Sequence, residues 1–201
     1  MNRNRNEICT IGLISVNIAV FFILSIFGRT EDPVFMMDHG AMFIPFITQK
    51  QEYYRLFTCM FLHFGIDHLL NNMVMLGAIG WNLESHLGHL RFLIIYLLSG
   101  LGGNLLSFFI NLHGDQNVVS AGASGAVFGM MGALVLVVIR HHGRLQTLTK
   151  RRLLIMVFLS LYCGFTSAGV DNAAHVGGLL CGFISAWILY RKPKEDYSSF
   201  L

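Results

Sequence analysis

Of 201 residues, 54% are hydrophobic and only 12% charged, about half the charge of an ordinary soluble domain, and the mean hydropathy is +0.60. That balance argues against a soluble domain; seventeen Phe, ten Met and 21 Gly beside three Pro fit helices packed in lipid, where small residues let backbones approach. The net charge of +3 resides at the ends of apolar runs and forms no continuous basic face, which argues against nucleic acid as a partner.

Residues 1–7 are polar and carry Arg3 and Arg5. The run Ile8 to Phe27 is longer than a secretory h-region and is followed by no small-residue cleavage site, so it is expected to be an uncleaved signal anchor and the first span. The connection from Gly28 to about His68 is rich in Phe and Met and broken by two prolines. It is too apolar for a free loop and too broken for a span, and is expected to lie at the interface, partly within the outer leaflet.

Five further apolar runs follow: Leu69–Leu83, Phe92–Ile110, Ser124–Ile139, Leu153–Ala168 and Ala173–Tyr190. Several fall short of the ~20 residues of a full span; spans two (Leu69–Leu83) and five (Leu153–Ala168) are the weakest, and each gains a turn from its flank if it crosses. Asn104 in the third span is expected to hydrogen-bond between helices. Glu84 and Arg91 read as solvated span ends, His141-His142 as solvated loop residues, and Cys9, Cys59, Cys163 and Cys181 as small buried side chains without metal-type spacing. The expected organisation is an all-α membrane protein: a cytoplasmic N-terminus (1–7), a six-helix transmembrane domain (8–190) and a cytoplasmic tail (191–201).

Orientation follows from Lys and Arg. With the N-terminus inside, eleven (Arg3, Arg5, Arg91, Arg140, Arg144, Lys150, Arg151, Arg152, Arg191, Lys192, Lys194) are cytoplasmic and three (Arg29, Lys50, Arg55) are outside. The positive-inside rule therefore sets both termini in the cytoplasm. Spans two, four and six then all descend from the outer side, and each opens with polar residues: His68 and Asn72, Ser124, and His175. Several polar side chains at one shallow depth imply a shared wet cavity. His68 and Asn72, four apart, share a helix face. Gly178 and Gly182 share a face with His175, and Gly125, Gly129 and Gly132 line span four; packing these stripes together brings Ser124 near His175, with Phe128 one turn below to stack on the imidazole. Taken singly, each feature has a structural reading; together they supply a hydroxyl, a base and donors for an oxyanion at Asn72, His68 and the Ser124 N–H. Asp171, one turn before His175, reads as too exposed to complete a triad.

His68-x-x-x-Asn72, Gly122-x-Ser124-Gly125 and Ala174-His175-x-x-Gly178-x-x-x-Gly182, in this order, resemble the rhomboid family of intramembrane serine proteases over about residues 8 to 190, and His63 matches a further family histidine. The resemblance implies a compact bundle of six transmembrane helices, with Ser124 as nucleophile, His175 as general base, and Gly122, His68, Asn72 and the Ser124 N–H stabilising the oxyanion. It implies no cofactor and no metal, transmembrane proteins as substrates within membrane lipid, and an active site opening to the outer side of a cell membrane. Two departures stand out: Tyr54-Arg55 replaces a frequent Trp-Arg pair, and Phe128 replaces a frequent Tyr. The gate is expected at span five and the 169–172 loop. Rival readings are a non-catalytic rhomboid-like protein that binds membrane clients, and a metal site or transporter built on His63, His68 and His175.

Overall fold

Where water is scarce, a chain this apolar must satisfy its backbone internally, and helices do so within each segment. The computed structural model describes residues 7–145 and 148–190; the expected polar start and the tail 191–201 lie almost wholly outside them. In chain order the helices are α1 (Ile8–Phe27), α2 (Pro33–Asp38), α3 (Ile44–Lys50), α4 (Arg55–Thr58), a 3-10 turn (Cys59–Phe61), α5 (Gly65–Leu87), α6 (His89–Leu112), α7 (Ser124–Arg140), α8 (Lys150–Thr166) and α9 (Asn172–Leu189). Each apolar run of the sequence falls on one of the six long helices. Among the described residues three of these, α1, α6 and α9, are long and apolar enough to cross a membrane, and α7 is a shorter apolar helix.

Helix ends explain where the runs were read short. α5 reaches 23 residues because it continues to Gly88, whose φ of 79° breaks it from α6. α8 starts at Lys150, ahead of its apolar run, because the Thr149 hydroxyl accepts the Arg152 N–H and caps the helix. The connection after α1 condenses into α2, α3 and α4, with Pro33 and Pro45 each in a first turn, where a missing N–H costs nothing.

α7 is buried on nearly every side, the pattern of a central helix. Glycines let α9 meet it backbone to backbone: a Cβ on Gly178 would lie 2.8 Å from Gly125 C, and one on Gly182 would strike Gly129 O. On its other side α9 rests on α6, where a Cβ on Gly103 would lie 2.5 Å from Ala174 O. The outward faces are apolar, with Phe27, Val74, Phe158 and Trp187 exposed. Two short ribbons complete the fold. β1 (Met42–Phe43) pairs antiparallel with β2 (Val119–Ser120), and β3 (Arg144–Leu145) with β4 (Leu148–Thr149).

Several residues depart from their sequence reading. Glu84 is not a solvated end: it is 1% exposed, and its carboxylate accepts the Cys9 and Thr10 N–H groups at 2.9 and 2.8 Å and the Thr10 hydroxyl at 2.6 Å. His89 Nδ1 lies 2.5 Å from the same carboxylate. Glu84 thereby caps α1 from another helix, because Glu7, the residue at the cap position, makes no side-chain bond there. Cys163 is exposed, and Cys9 and Cys181 are half-buried, where the sequence reading had all four cysteines buried. His141 is not simply solvated, its Nε2 lying 2.6 Å from the Tyr190 hydroxyl. Asn104 does bond between elements, donating to Leu56 O at 2.8 Å and to Cys59 Sγ at 3.0 Å.

Candidate active site

Three stretches of chain meet around one cavity of about 1440 Å³. Ser124, His175, His68, Asn72 and Gly122, the five residues singled out in the sequence, all line it. Its wall also includes Leu70 and Val74 of α5 and Leu159 and Cys163 of α8, so it reaches between those two helices.

Ser124 is the first residue of α7, and the preceding Ala123 offers no side-chain cap. The first amides of a helix lack intrahelical partners and carry the positive end of its dipole, so the N–H groups beside the hydroxyl favour a developing negative charge. The loop before it is fixed at several points. Gly122 has φ +143°, which a side chain tolerates poorly, and its N–H donates to Cys59 O at 2.9 Å. β2 pairs with β1, tying this loop to the long first connection. Ala123 N–H donates to His63 Nε2 at 3.4 Å. His63 is 1% exposed, and burial pushes its imidazole down to about 3, so it acts as a neutral acceptor under the loop.

His68 faces the same point from α5. A Cβ on Gly122 would sit 3.0 Å from His68 Nε2 and 3.6 Å from Ser124 Oγ, so the ring and the hydroxyl flank one small space. Phe64 N–H donates to His68 Nδ1 at 3.3 Å, which leaves the ring proton on Nε2, turned toward that space. Asn72, one turn on, gives one amide hydrogen to His68 O at 2.9 Å and keeps its second.

His175 is 8% exposed and lies flat on Phe128, with ring centroids 4.2 Å apart and planes 16° from parallel. The stack expected from the sequence is therefore present, made by phenylalanine without a hydroxyl. Among the described residues His175 Nδ1 has no hydrogen-bond partner, and its surroundings include Gly164 of α8, where a Cβ would come within 3.4 Å of that nitrogen. The Asp171 carboxylate accepts from Ser107, Ser120 and the Ala174 N–H and not from the imidazole.

The first connection is anchored by Arg55, 3% exposed, which in the sequence stands only as an outer-side charge and as part of a replaced pair. Its guanidinium donates to Met37 O at 2.5 Å, to Ala41 O at 2.9 Å and to Glu52 Oε2 at 2.6 Å. The hydrogen bond from Arg55 holds the Glu52 carboxyl below the usual carboxylate range. An arginine amid so apolar a connection was the available signal, since a buried guanidinium must collect carbonyls.

Known proteins are similar to this chain in sequence. The family model for the Rhomboid domain matches residues 50–192. "Rhomboid protease GluP" of Bacillus subtilis (strain 168) is 35% identical over 173 residues, 86% of this chain and 33% of its own length. "RHOMBOID-like protein 5" of Arabidopsis thaliana is 37% identical over 153 residues, 75% of this chain and 48% of its own. "Rhomboid-like protease 1" of Toxoplasma gondii is 35% identical over 193 residues, 88% of this chain and 62% of its own. The chain thus spans between a third and somewhat under two thirds of these relatives.

Proposed function

The chain belongs to the rhomboid family, and from that premise we propose that it is an intramembrane serine protease, hydrolysing peptide bonds in or next to transmembrane segments of membrane proteins. The observation that carries this reading is the shared cavity: Ser124 and His175, 51 positions apart in sequence, both line it, together with His68, Asn72 and Gly122.

In this mechanism His175 takes the Ser124 proton as Oγ attacks the scissile carbonyl, and returns it to the leaving amine. Water then hydrolyses the acyl-enzyme with His175 again as base, restoring the free hydroxyl. The tetrahedral oxyanion sits in the space flanked by His68 Nε2–H, the second Asn72 amide hydrogen and the Ser124 N–H, where each donor is worth ~10²–10³ in rate. Phe128 holds the imidazole plane. Among the described residues no carboxylate is hydrogen-bonded to the His175 ring, which supports a Ser–His dyad as the catalytic pair.

A transmembrane substrate hides its carbonyls in helical hydrogen bonds and must unwind locally to reach Ser124. The reach of the cavity between α5 and α8 supports entry from the side, with α8 and the 169–172 loop as the gate. The six long helices are taken as six spans, with both termini in the cytoplasm and the cavity opening to the outer side, on the strength of the Lys and Arg distribution.

The test is Ser124→Ala in the full chain, reconstituted with a panel of single-span proteins and read by mass spectrometry of the cut sites. Cleavage is expected to vanish while the protein stays folded, and a fluorophosphonate is expected to label Ser124 only when His175 is intact. Cleavage retained by Ser124→Ala would refute the reading. Binding of the same clients without any cleavage by the wild type would favour the non-catalytic alternative.

A further inference from the structure

Asp171 stands at the N-cap of α9, four residues before His175, and its carboxylate has more partners than capping needs. Oδ1 accepts the Ala174 N–H at 2.9 Å, which is the cap. Oδ2 accepts two hydroxyls at 2.6 Å each, from Ser107 of α6 and from Ser120 of β2. Ser107 in turn accepts the Asn111 amide at 3.1 Å. Both serines are buried, at 0% and 9% exposure. Short O–H···O⁻ bonds of this kind are charge-assisted, roughly twice as strong as neutral ones.

These donors matter because of where their elements lead. β2 ends at Ser120, four residues before Ser124, and is only two residues long, so the Ser120 hydroxyl adds a side-chain tie to the anchorage that β1 and the Gly122 and Ala123 amides give this loop. α9 carries His175 one turn beyond the cap. Lower in the bundle α7 and α9 are fixed by glycine contacts, which set their spacing but not the path of the loop above Ser124. The carboxylate joins the two reacting segments at their upper ends.

We propose that Asp171 is a positioning residue: it clamps β2 to the N-terminus of α9 and so fixes the separation of the Ser124 hydroxyl from the His175 imidazole. The proposal rests on the protease reading above and adds an element that the dyad alone does not contain. Asp171 contacts neither reacting group; it acts through the two backbone segments that carry them. A purely structural cap would affect stability and leave the chemistry of Ser124 untouched, whereas a clamp alters the chemistry.

The experiment uses the full chain in detergent and in vesicles, with Asp171→Ala, Asp171→Asn, Ser120→Ala and the Asp171→Ala/Ser120→Ala double variant. Three quantities are read: melting temperature, rate of fluorophosphonate labelling at Ser124, and kcat and KM on a single-span substrate. Asp171→Ala is expected to slow labelling and kcat by about ten- to a hundredfold, with KM little changed, as for displacements approaching 1 Å in a reacting pair. Asp171→Asn keeps the cap but loses the charge, and is expected to fall between the wild type and Asp171→Ala. The double variant is expected to be no slower than Asp171→Ala alone, since one shared contact is lost.

Wild-type labelling and kcat in Asp171→Ala, with only a lower melting temperature, would reduce Asp171 to a cap and overturn the proposal. If Asp171→Ala does not fold, Ser120→Ala decides alone, and undiminished labelling in that variant is equally fatal. A wild type that is never labelled at Ser124 would instead remove the protease reading itself, a result separate from the failure of any Asp171 variant.

Discussion

Replacing Gly103 with Ala tests whether the α6–α9 contact sets the position of His175. A Cβ at this site would lie 2.5 Å from Ala174 O, 3.2 Å from Gly178 N and 3.3 Å from Ala174 C. All three are backbone atoms, so no rotamer change relieves the overlap. An ordinary C···O approach is about 3.3 Å, so α9 must retreat by about 0.8 Å beside the residue that precedes His175. Overpacking of this kind costs about 1–3 kcal/mol, offset by the ~0.5–1 kcal/mol that alanine gains over glycine within a helix. The net loss of stability is therefore small, roughly 0–2.5 kcal/mol, while a shift near 1 Å at the base costs up to about a hundredfold in kcat. Gly12→Ala in α1 is the control, because nothing lies within 4 Å of its Cβ. Both variants are measured by thermal unfolding and by cleavage of a single-span reporter. Wild-type kcat in Gly103→Ala, together with an undiminished melting temperature, would show that the backbones are not in such close contact and would refute the reasoning.

Other outcomes follow from groups away from the cavity. Glu84→Ala strips α1 of its cap and leaves the Cys9 and Thr10 amides and the Thr10 hydroxyl without their acceptor; a loss of about 3–5 kcal/mol is expected, read as a lower unfolding midpoint, with Thr10→Val costing about 1 kcal/mol. His63 gives a pH signature. Its folded value of about 3 lies below the ordinary 6.5, so as pH falls from 6.5 toward 3 the unfolded chain takes up a proton that the folded chain refuses. Stability is therefore expected to decline across that window, and His63→Gln to flatten this part of the slope of midpoint against pH; an unchanged slope would mean that His63 is already protonated in the folded chain.

Much of this architecture was legible in order along the chain. The six apolar runs read from hydropathy each lie on a long helix, because length and composition act locally and the backbone of such a run has few other ways to satisfy itself. The residues of the cavity were legible too: Ser124 beside glycines, and His68 and Asn72 at helical spacing, carry recognisable chemistry wherever they lie. Glu84 was misread because its position between apolar runs is that of a solvated end, and only the approach of α1 turns it into a buried cap. Along the chain Asp171 has only His175 nearby to pair with, whereas its two hydroxyl donors come from residues 64 and 51 positions away.

By itself, then, the amino-acid order determined the helices, their polarity and the chemical groups on offer, since these depend on neighbours within a few residues. The tertiary structure alone decided which groups share a cavity, which carboxylates are capped and buried, and how closely α6, α7 and α9 approach. Those outcomes depend on contacts between distant segments, where a missing Cβ or one buried charge is settled by whatever the fold brings against it.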